Sequence, residues 1–330
     1  MIELTDQNSA LKRFIAHAKS VIQLGGDEYL GKIAVELEKA LEQRAVHGTR
    51  GRTNVRLLAK GVGWKVEDVI CTAGPQDRAF EEQHAGMTIA VVAAGSFQYR
   101  GPMGNSRGQE LMTPGSLVLG NAGQCFECGH EHDAGDRCIS FWYAPEYFER
   151  IAADVGIRGT MDFRVLRVAP LRALSPLLSG VYAGLARSAE LSTEIRWEQL
   201  GLRLAARALE LTRDVTPRAN DAQRASIARV TRVLRMIEHD PNAQLTIPRL
   251  AREARLSPYH FLRTFEQMTG VTPHRYIVRA RLREAAMRLR TEKTRIVDIA
   301  LDCGFGDVSN FNHAFRAEFK VSPRIYRQCE

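Results

Sequence analysis

No stretch of this 330-residue sequence approaches the about 18 apolar residues that a membrane-spanning helix needs. Its first residues, MIELTDQNSALKRF, lack the apolar core of a secretory signal. A cytoplasmic protein with no membrane partner is therefore expected. Cysteine is sparse: Cys71, Cys125, Cys128, Cys138, Cys303 and Cys329 do not form a disulfide framework for a chain of this size. Folding must rest on apolar burial, and a hydrophobic share of 45% with 25% charged residues suits that. Net charge is missing from the first two thirds, where residues 1–219 hold 26 Lys and Arg against 26 Asp and Glu. Residues 220–330 hold 20 against 12, so the whole net charge of +8 lies there. A basic excess confined to one region suits a polyanion, because neutralising phosphates releases their counterions.

That basic third also contains one local pattern twice. Thr246–Tyr276 reads TIPRLAREARLSPYHFLRTFEQMTGVTPHRY, and Arg295–Tyr326 reads RIVDIALDCGFGDVSNFNHAFRAEFKVSPRIY. Leu250-Ala251 match Ile299-Ala300, Phe261 matches Phe311, Phe265 matches Phe315, Pro273 matches Pro323 and Tyr276 matches Tyr326. Each copy predicts helix, tight turn, helix. Ile296, Ile299 and Ala300 share one helical face, Gly304 and Gly306 permit a sharp turn, and Phe305 can plug the angle. Asp307 or Ser309 can cap the next helix, as Ser257 can in the first copy, with Pro258 at its first position. Phe311, Phe315 and Phe319 form its buried stripe. In such a pair the second helix is the one that enters a DNA major groove.

These residues give a specific resemblance. Ile296, Ile299-Ala300, Gly304-Phe305, Asp307, Ser309, Phe311, Phe315-Arg316, Phe319, Ser322-Pro323 and Tyr326-Arg327 resemble the DNA-binding domain of the AraC/XylS family of bacterial transcription regulators. Ser257-Pro258, Arg263, Phe265, Gly270, Thr272-Pro273, Tyr276-Ile277, Arg281-Leu282 and Ala285 fit as well. One departure is Lys320, where the family often has Gly. The likeness covers about a third of the chain. It implies a sensor domain with a cupin-like fold, promoter DNA and RNA polymerase as partners, a small-molecule effector, and no enzymatic role.

The remainder reads as follows. Residues 1–48 form a helical extension with stripes at Leu11, Phe14, Ile15, Ala18 and Ile22, then at Leu30, Ile33, Ala34, Leu37 and Leu41. Residues 49–145 carry short strands at Val66–Cys71, Met87–Ala94, Ser96–Tyr99, Ser116–Gly120 and Cys138–Tyr143, separated by turn-rich segments, as in a small barrel or sandwich. Residues 146–213 return to helix, with Pro176 restarting one of them and Leu200, Leu204, Ala208 and Leu211 on one side of another. That last helix either covers the barrel or forms the dimer seam that the resemblance implies. Residues 214–224 are a polar linker, and 225–330 form the DNA-binding domain, with helix-turn-helix units at about 247–269 and 296–319. The expected class is α+β: an N-terminal cupin-like β-barrel with flanking helices, then an all-α domain with two helix-turn-helix units. A homodimer is expected, since symmetric oligomers dominate and paired half-sites suit paired proteins.

With the phenylalanines inside, Tyr259, His260, Leu262, Arg263 and Gln267 are left exposed on the first reading helix. Ser309, Asn310, Asn312, His313 and Arg316 are left on the second. Arg263 can bind guanine O6 and N7 through two hydrogen bonds, and Asn310 can do the same for adenine N6 and N7. Asn312 and Arg316 suit holding the DNA backbone or holding the domain together. The segment from Pro273 to Arg290 is a strut between the two units.

CFECGHEHDAGDRC, from Cys125 to Cys138, is the other conspicuous stretch. Cys125, Cys128, His130, His132 and Cys138 are candidate metal ligands, His130 and His132 sharing a face if the segment is a strand. The plain alternative is a strand and turn of the barrel, and this is the favoured reading. A third His ligand, as a metal cupin would have, does not occur between His132 and His239. No cofactor is called for. Two other function classes stay open: a bifunctional regulator whose cysteine accepts an alkyl group or senses metal, and a cupin metalloenzyme fused to a DNA-binding domain. Met87, Ile89, Val91, Phe97 and Phe141 are either effector-cavity walls or ordinary core.

Overall fold

The structure is a computed structural model that describes residues 30–103, 106–157, 161–187, 197–213, 215 and 224–328. The first helical stripe and most of the expected linker lie outside the described residues. Helix α1 (Leu30–His47) precedes strands β1 (Thr53–Gly61), β2 (Trp64–Cys71), β3 (Phe80–Gln83), β4 (Met87–Gly95) and β5 (Phe97–Met103). Strands β6 (Ser106–Met112), β7 (Leu117–Gly120), β8 (Cys125–Gly129) and β9 (Asp136–Tyr143) follow, with the short β10 (Arg167–Val168) after helix α2 (Pro145–Asp154).

The strands form two sheets that do not close into one barrel. One has the order β1-β2-β9-β4-β7-β10, the other β3-β8-β5-β6. The larger sheet is buried on both faces at β4, which explains that strand's unbroken apolar run: such runs mark strands covered on two sides. Val92, Val118 and Cys138 face Phe97, Tyr99 and Met112 of the smaller sheet. Met87, Ile89, Val91, Leu117, Ile139 and Phe141 face the helices instead. The suggested effector wall is thus divided: Met87, Ile89, Val91 and Phe141 pack under helices, while Phe97 packs between the sheets. The segment read as turn-rich around residues 101–109 is a β5–β6 hairpin paired from Phe97↔Met112 out to Met103↔Ser106.

Helix α3 (Ser175–Arg187) is the centre of the molecule. A short 3-10 turn at Arg172–Leu174 precedes it, and Pro176 sits in its first turn, where a missing amide proton costs nothing. It is apolar nearly all round, as a helix buried on every side must be. Leu178, Val181, Tyr182 and Leu185 pack on the sheet side. Ser175 and Ser179 turn towards the C-terminal domain. Helix α4 (Trp197–Thr212) lays Trp197, Leu204, Ala205, Ala208 and Leu209 into the same core. Its apolar stripe therefore covers its own sheet, and Leu200 and Leu211 are half-buried against that core.

The C-terminal domain comprises α5 (Arg224–His239), α6 (Ile247–Glu253), α7 (Pro258–Thr269), α8 (Pro273–Thr291), α9 (Ile296–Asp302), α10 (Val308–Phe319) and α11 (Pro323–Gln328). It has two apolar cores. One gathers α5, α6 and α7 around Phe261, Phe265 and Tyr276. The other gathers α9, α10 and α11 around Phe311, Phe315, Phe319 and Tyr326. Helix α8 contributes Tyr276, Ile277 and Ala280 to the first, and Leu282, Ala285, Ala286 and Leu289 to the second. One helix thus supplies walls to both units, so neither can turn without it.

Candidate DNA-binding surface

The two reading helices, α7 and α10, are set by equivalent local devices. The Ser257 hydroxyl accepts the His260 amide at the start of α7, and the Asp307 carboxylate accepts the Asn310 amide at 2.7 Å at the start of α10. Each satisfies an amide that the first helical turn leaves without a partner. Asp307, not Ser309, is the cap. Phe305 plugs the second turn as expected, with its ring edge-on to Phe311 at 5.1 Å. Both helices end on a left-handed residue: Gly270 at φ 77° and Lys320 at φ 67°. A side chain at Gly270 would also meet Ala169 at 2.7 Å, so that glycine serves the packing of the two domains as well. Lys320 has the strained conformation without glycine's freedom.

The residues from Phe261 to Gly270 and from Phe311 to Lys320 repeat the same order of buried, half-buried and exposed positions. Phe261 and Phe265 match Phe311 and Phe315 at essentially zero exposure. Tyr259, His260, Leu262, Arg263 and Gln267 are all exposed, as are Ser309, Asn310, Asn312, His313 and Arg316. The Arg263 guanidinium lies over the Tyr259 ring at 5.9 Å. Such stacking holds the arginine extended for a planar partner. Tyr259 is 64% and Leu262 38% exposed, so both apolar surfaces stay open to solvent in the free protein.

The basic excess is not spread evenly over this surface. Several arginines are committed to partners within the same domain. Arg281 donates to the carbonyls of Pro241, Ala243 and Gly304 and so ties the two units together. Arg288 pairs with Glu292 and Asp302, Arg283 with Glu238 and Arg295 with Asp298. Among the described residues Arg263 and Arg316 form no ion pair, which leaves their charge for an external anion.

Contacts across the domain boundary were not legible in the sequence. Buried Glu318, at the inner face of α10, accepts from Ser175 and from Arg279, whose Nη1 also donates to the Pro170 carbonyl at 2.7 Å. Tyr326 and Ser179 share a hydrogen bond. Arg167, buried beside Glu110, donates to the carbonyls of Leu111 and Thr269. Arg235 of α5 bonds Asp133 in the β8–β9 loop. The pairs that join the two domains lie more than a hundred residues apart, and no local spacing announces them.

The residues 250–328 match the family described as "Helix-turn-helix domain". The chain is 39% identical over 101 residues to the HTH-type transcriptional activator RhaS of Klebsiella pneumoniae, covering 31% of this chain and 36% of that one. It is 38% identical over 96 residues to the Tn10 transposon TetD protein of Escherichia coli, covering 29% of this chain and 70% of that one. The chain belongs to the AraC/XylS family of transcription regulators. It spans about a third of the length of the RhaS relatives it matches. Among solved structures, a Chromobacterium violaceum regulator with an AraC-type DNA-binding domain is similar at 27% identity, with a TM-score of 0.30, over 32% of this chain and 95% of that one. The family residues fall where the geometry needs them: Gly270 and Gly304 at positive φ, Pro273 and Pro323 opening helices, and the paired phenylalanines inside.

The cysteine-histidine stretch divides. Cys125 is exposed at the start of β8, while Cys128, His130 and Cys138 turn inward. His132 is half-buried, and its carbonyl accepts from Arg235. The strand reading of this segment holds for β8, with a bend before β9. Among the described residues no helix is long and apolar enough to cross a membrane.

Proposed function

We propose that this protein is a sequence-specific transcription regulator without enzymatic activity. It binds promoter double-stranded DNA through α7 and α10. One observation carries this reading: two helices of the same burial pattern, on one shared strut, expose different polar sets. Helix α8 has 19 residues and is about 28 Å long at 1.5 Å per residue, close to the about 34 Å between successive major-groove faces on one side of DNA. Arg263 and Asn310 are the base readers. Tyr259, His260, Leu262, Gln267, Ser309 and His313 line the groove, and Asn312 and Arg316 hold phosphates.

The N-terminal domain senses a signal and passes it through α3, which touches both the large sheet and α8. The protein activates by contacting RNA polymerase, acts as a homodimer on paired sites, and works in the cytoplasm, where promoter DNA is. Reactive-cysteine chemistry at Cys128 or Cys138 fits poorly: burial, and then the charge of Asp136, push both thiols well above their ordinary range. An alkyl-accepting nucleophile needs the opposite shift.

A gel-shift titration of the full chain against bound and scrambled fragments, at several salt concentrations, tests the reading. It predicts tighter binding to the specific fragment and a linear fall of log affinity with log salt. Equal affinity for both fragments at moderate salt would remove sequence-specific regulation.

A further inference from the structure

We propose that the sensor domain contains a buried site for a zinc-class divalent cation, with Cys71, His130 and Asp136 as ligands and Cys138 beside them. The site stands on geometry that strand pairing creates. Cys71, the last residue of β2, lies directly opposite Asp136, the first of β9, and directly paired residues project from the same sheet face. Cys138, two residues further along β9, shares that face. His130 comes from the end of β8 in the opposing sheet. Its Nε2 lies 2.7 Å from Asp136 Oδ1, and Cys138 Sγ lies 3.2 Å from Asp136 Oδ2. One ligand atom each from Cys71, His130 and Asp136 lies within 4.8 Å of the other two. All three residues are buried.

Two features mark the cluster as a site and not simply core. The His130 Nδ1 is buried and has no hydrogen-bond partner among the described residues. Asp136, also buried, has only the His130 imidazole as an ion-pair partner there. Buried charge of one sign without a firm counterion is costly, and a divalent cation would neutralise it. The donor set of sulfur, nitrogen and oxygen is that of zinc rather than of calcium or magnesium. Tetrahedral zinc with bonds of about 2.0–2.3 Å places its donors about 3.3–3.8 Å apart. The triad therefore needs shifts of no more than about 1.5 Å, the longest separation closing and the 2.7 Å His130–Asp136 pair opening. Binding displaces the thiol proton of Cys71 to solvent, and its sulfur then coordinates as a thiolate with no change of oxidation state. The ligands His130 and Asp136 flank Asp133, which bonds Arg235 of the C-terminal domain.

Cobalt(II) titration of the full chain, reduced with a phosphine, tests this without any reference to DNA. Tetrahedral cobalt bound by thiolates shows intense visible d–d bands and a near-ultraviolet sulfur-to-metal charge-transfer band. The expected result is one equivalent bound, with bands bleached by one equivalent of zinc. Cys71→Ser and His130→Ala should each weaken cobalt binding at least about tenfold, while Cys125→Ser leaves it unchanged. Circular dichroism and urea midpoints identify variants that fail to fold, and the wild-type titration is decisive by itself. No cobalt bands from folded wild-type protein would overturn the site. So would bands that survive both Cys71→Ser and His130→Ala in folded variants, or that vanish with Cys125→Ser.

Discussion

At the scale of single residues, Arg263 is the proposed base reader and Lys320 a structural position. Arg263 is exposed, unpaired among the described residues and stacked on Tyr259. Arg263→Ala should weaken specific DNA binding by about 1–3 kcal/mol and relax the preference at one base pair, read by gel shift on single-base variants. Arg316→Ala should instead weaken all sequences alike and lower the salt slope by about one. Lys320 occupies the left-handed position that glycine fills in the first copy. Lys320→Gly should raise stability by about 1 kcal/mol, measured as a later urea midpoint with unchanged DNA affinity. Glu284 carries a pH signature. Burial pushes its carboxyl up to about 7 from an ordinary 4.5, although Asn242 hydrogen-bonds it. Between those values the folded chain holds a proton that the unfolded chain has released. Stability should therefore fall as pH rises from 4.5 through 7, by up to about 3 kcal/mol. Glu284→Gln should flatten the melting temperature between pH 5 and 8. An unchanged slope would assign the dependence elsewhere.

At the scale of elements, periodicity carried most of the information. The strut expected at Pro273–Arg290 is α8 at Pro273–Thr291, and the strand expected at Met87–Ala94 is β4 at Met87–Gly95. Both have side-chain spacings fixed by burial. Strand β1 was not legible because it lies at the sheet edge, where Thr53–Arg56 are exposed and show no alternation. The β5–β6 hairpin was hidden by the glycines and proline of GPMGNSRGQ, which read as turn. The exposed faces of α7 and α10 were legible because phenylalanines at every fourth position mark the buried side. The partners of those buried faces in α3 were not, because Ser175 and Ser179 give no local signal. The unequal polar sets of the two helices lead to a prediction at this scale. Asn310→Ala should impair recognition of one half of the site and Arg263→Ala the other, measured by binding selection with each variant.

At the scale of the whole molecule, two domains share a buried polar boundary in which Glu318 serves both sides. Glu318→Ala leaves Ser175 without that partner and Arg279 with only the Pro170 carbonyl. It should destabilise the boundary by about 2–3 kcal/mol, seen as faster amide hydrogen exchange in α3 and α8 with α7 unaffected. On the proposed reading, such a boundary gives a signal in the sheets a route to the strut and thus to both reading helices. The central claim is that one chain reads two consecutive groove segments with two unlike helices. Recovery of genomic fragments bound by the purified full chain tests it most directly. The account predicts an enriched motif of two dissimilar elements about one helical turn apart for each monomer. No enrichment over random fragments at moderate salt, or a single short element, would contradict it.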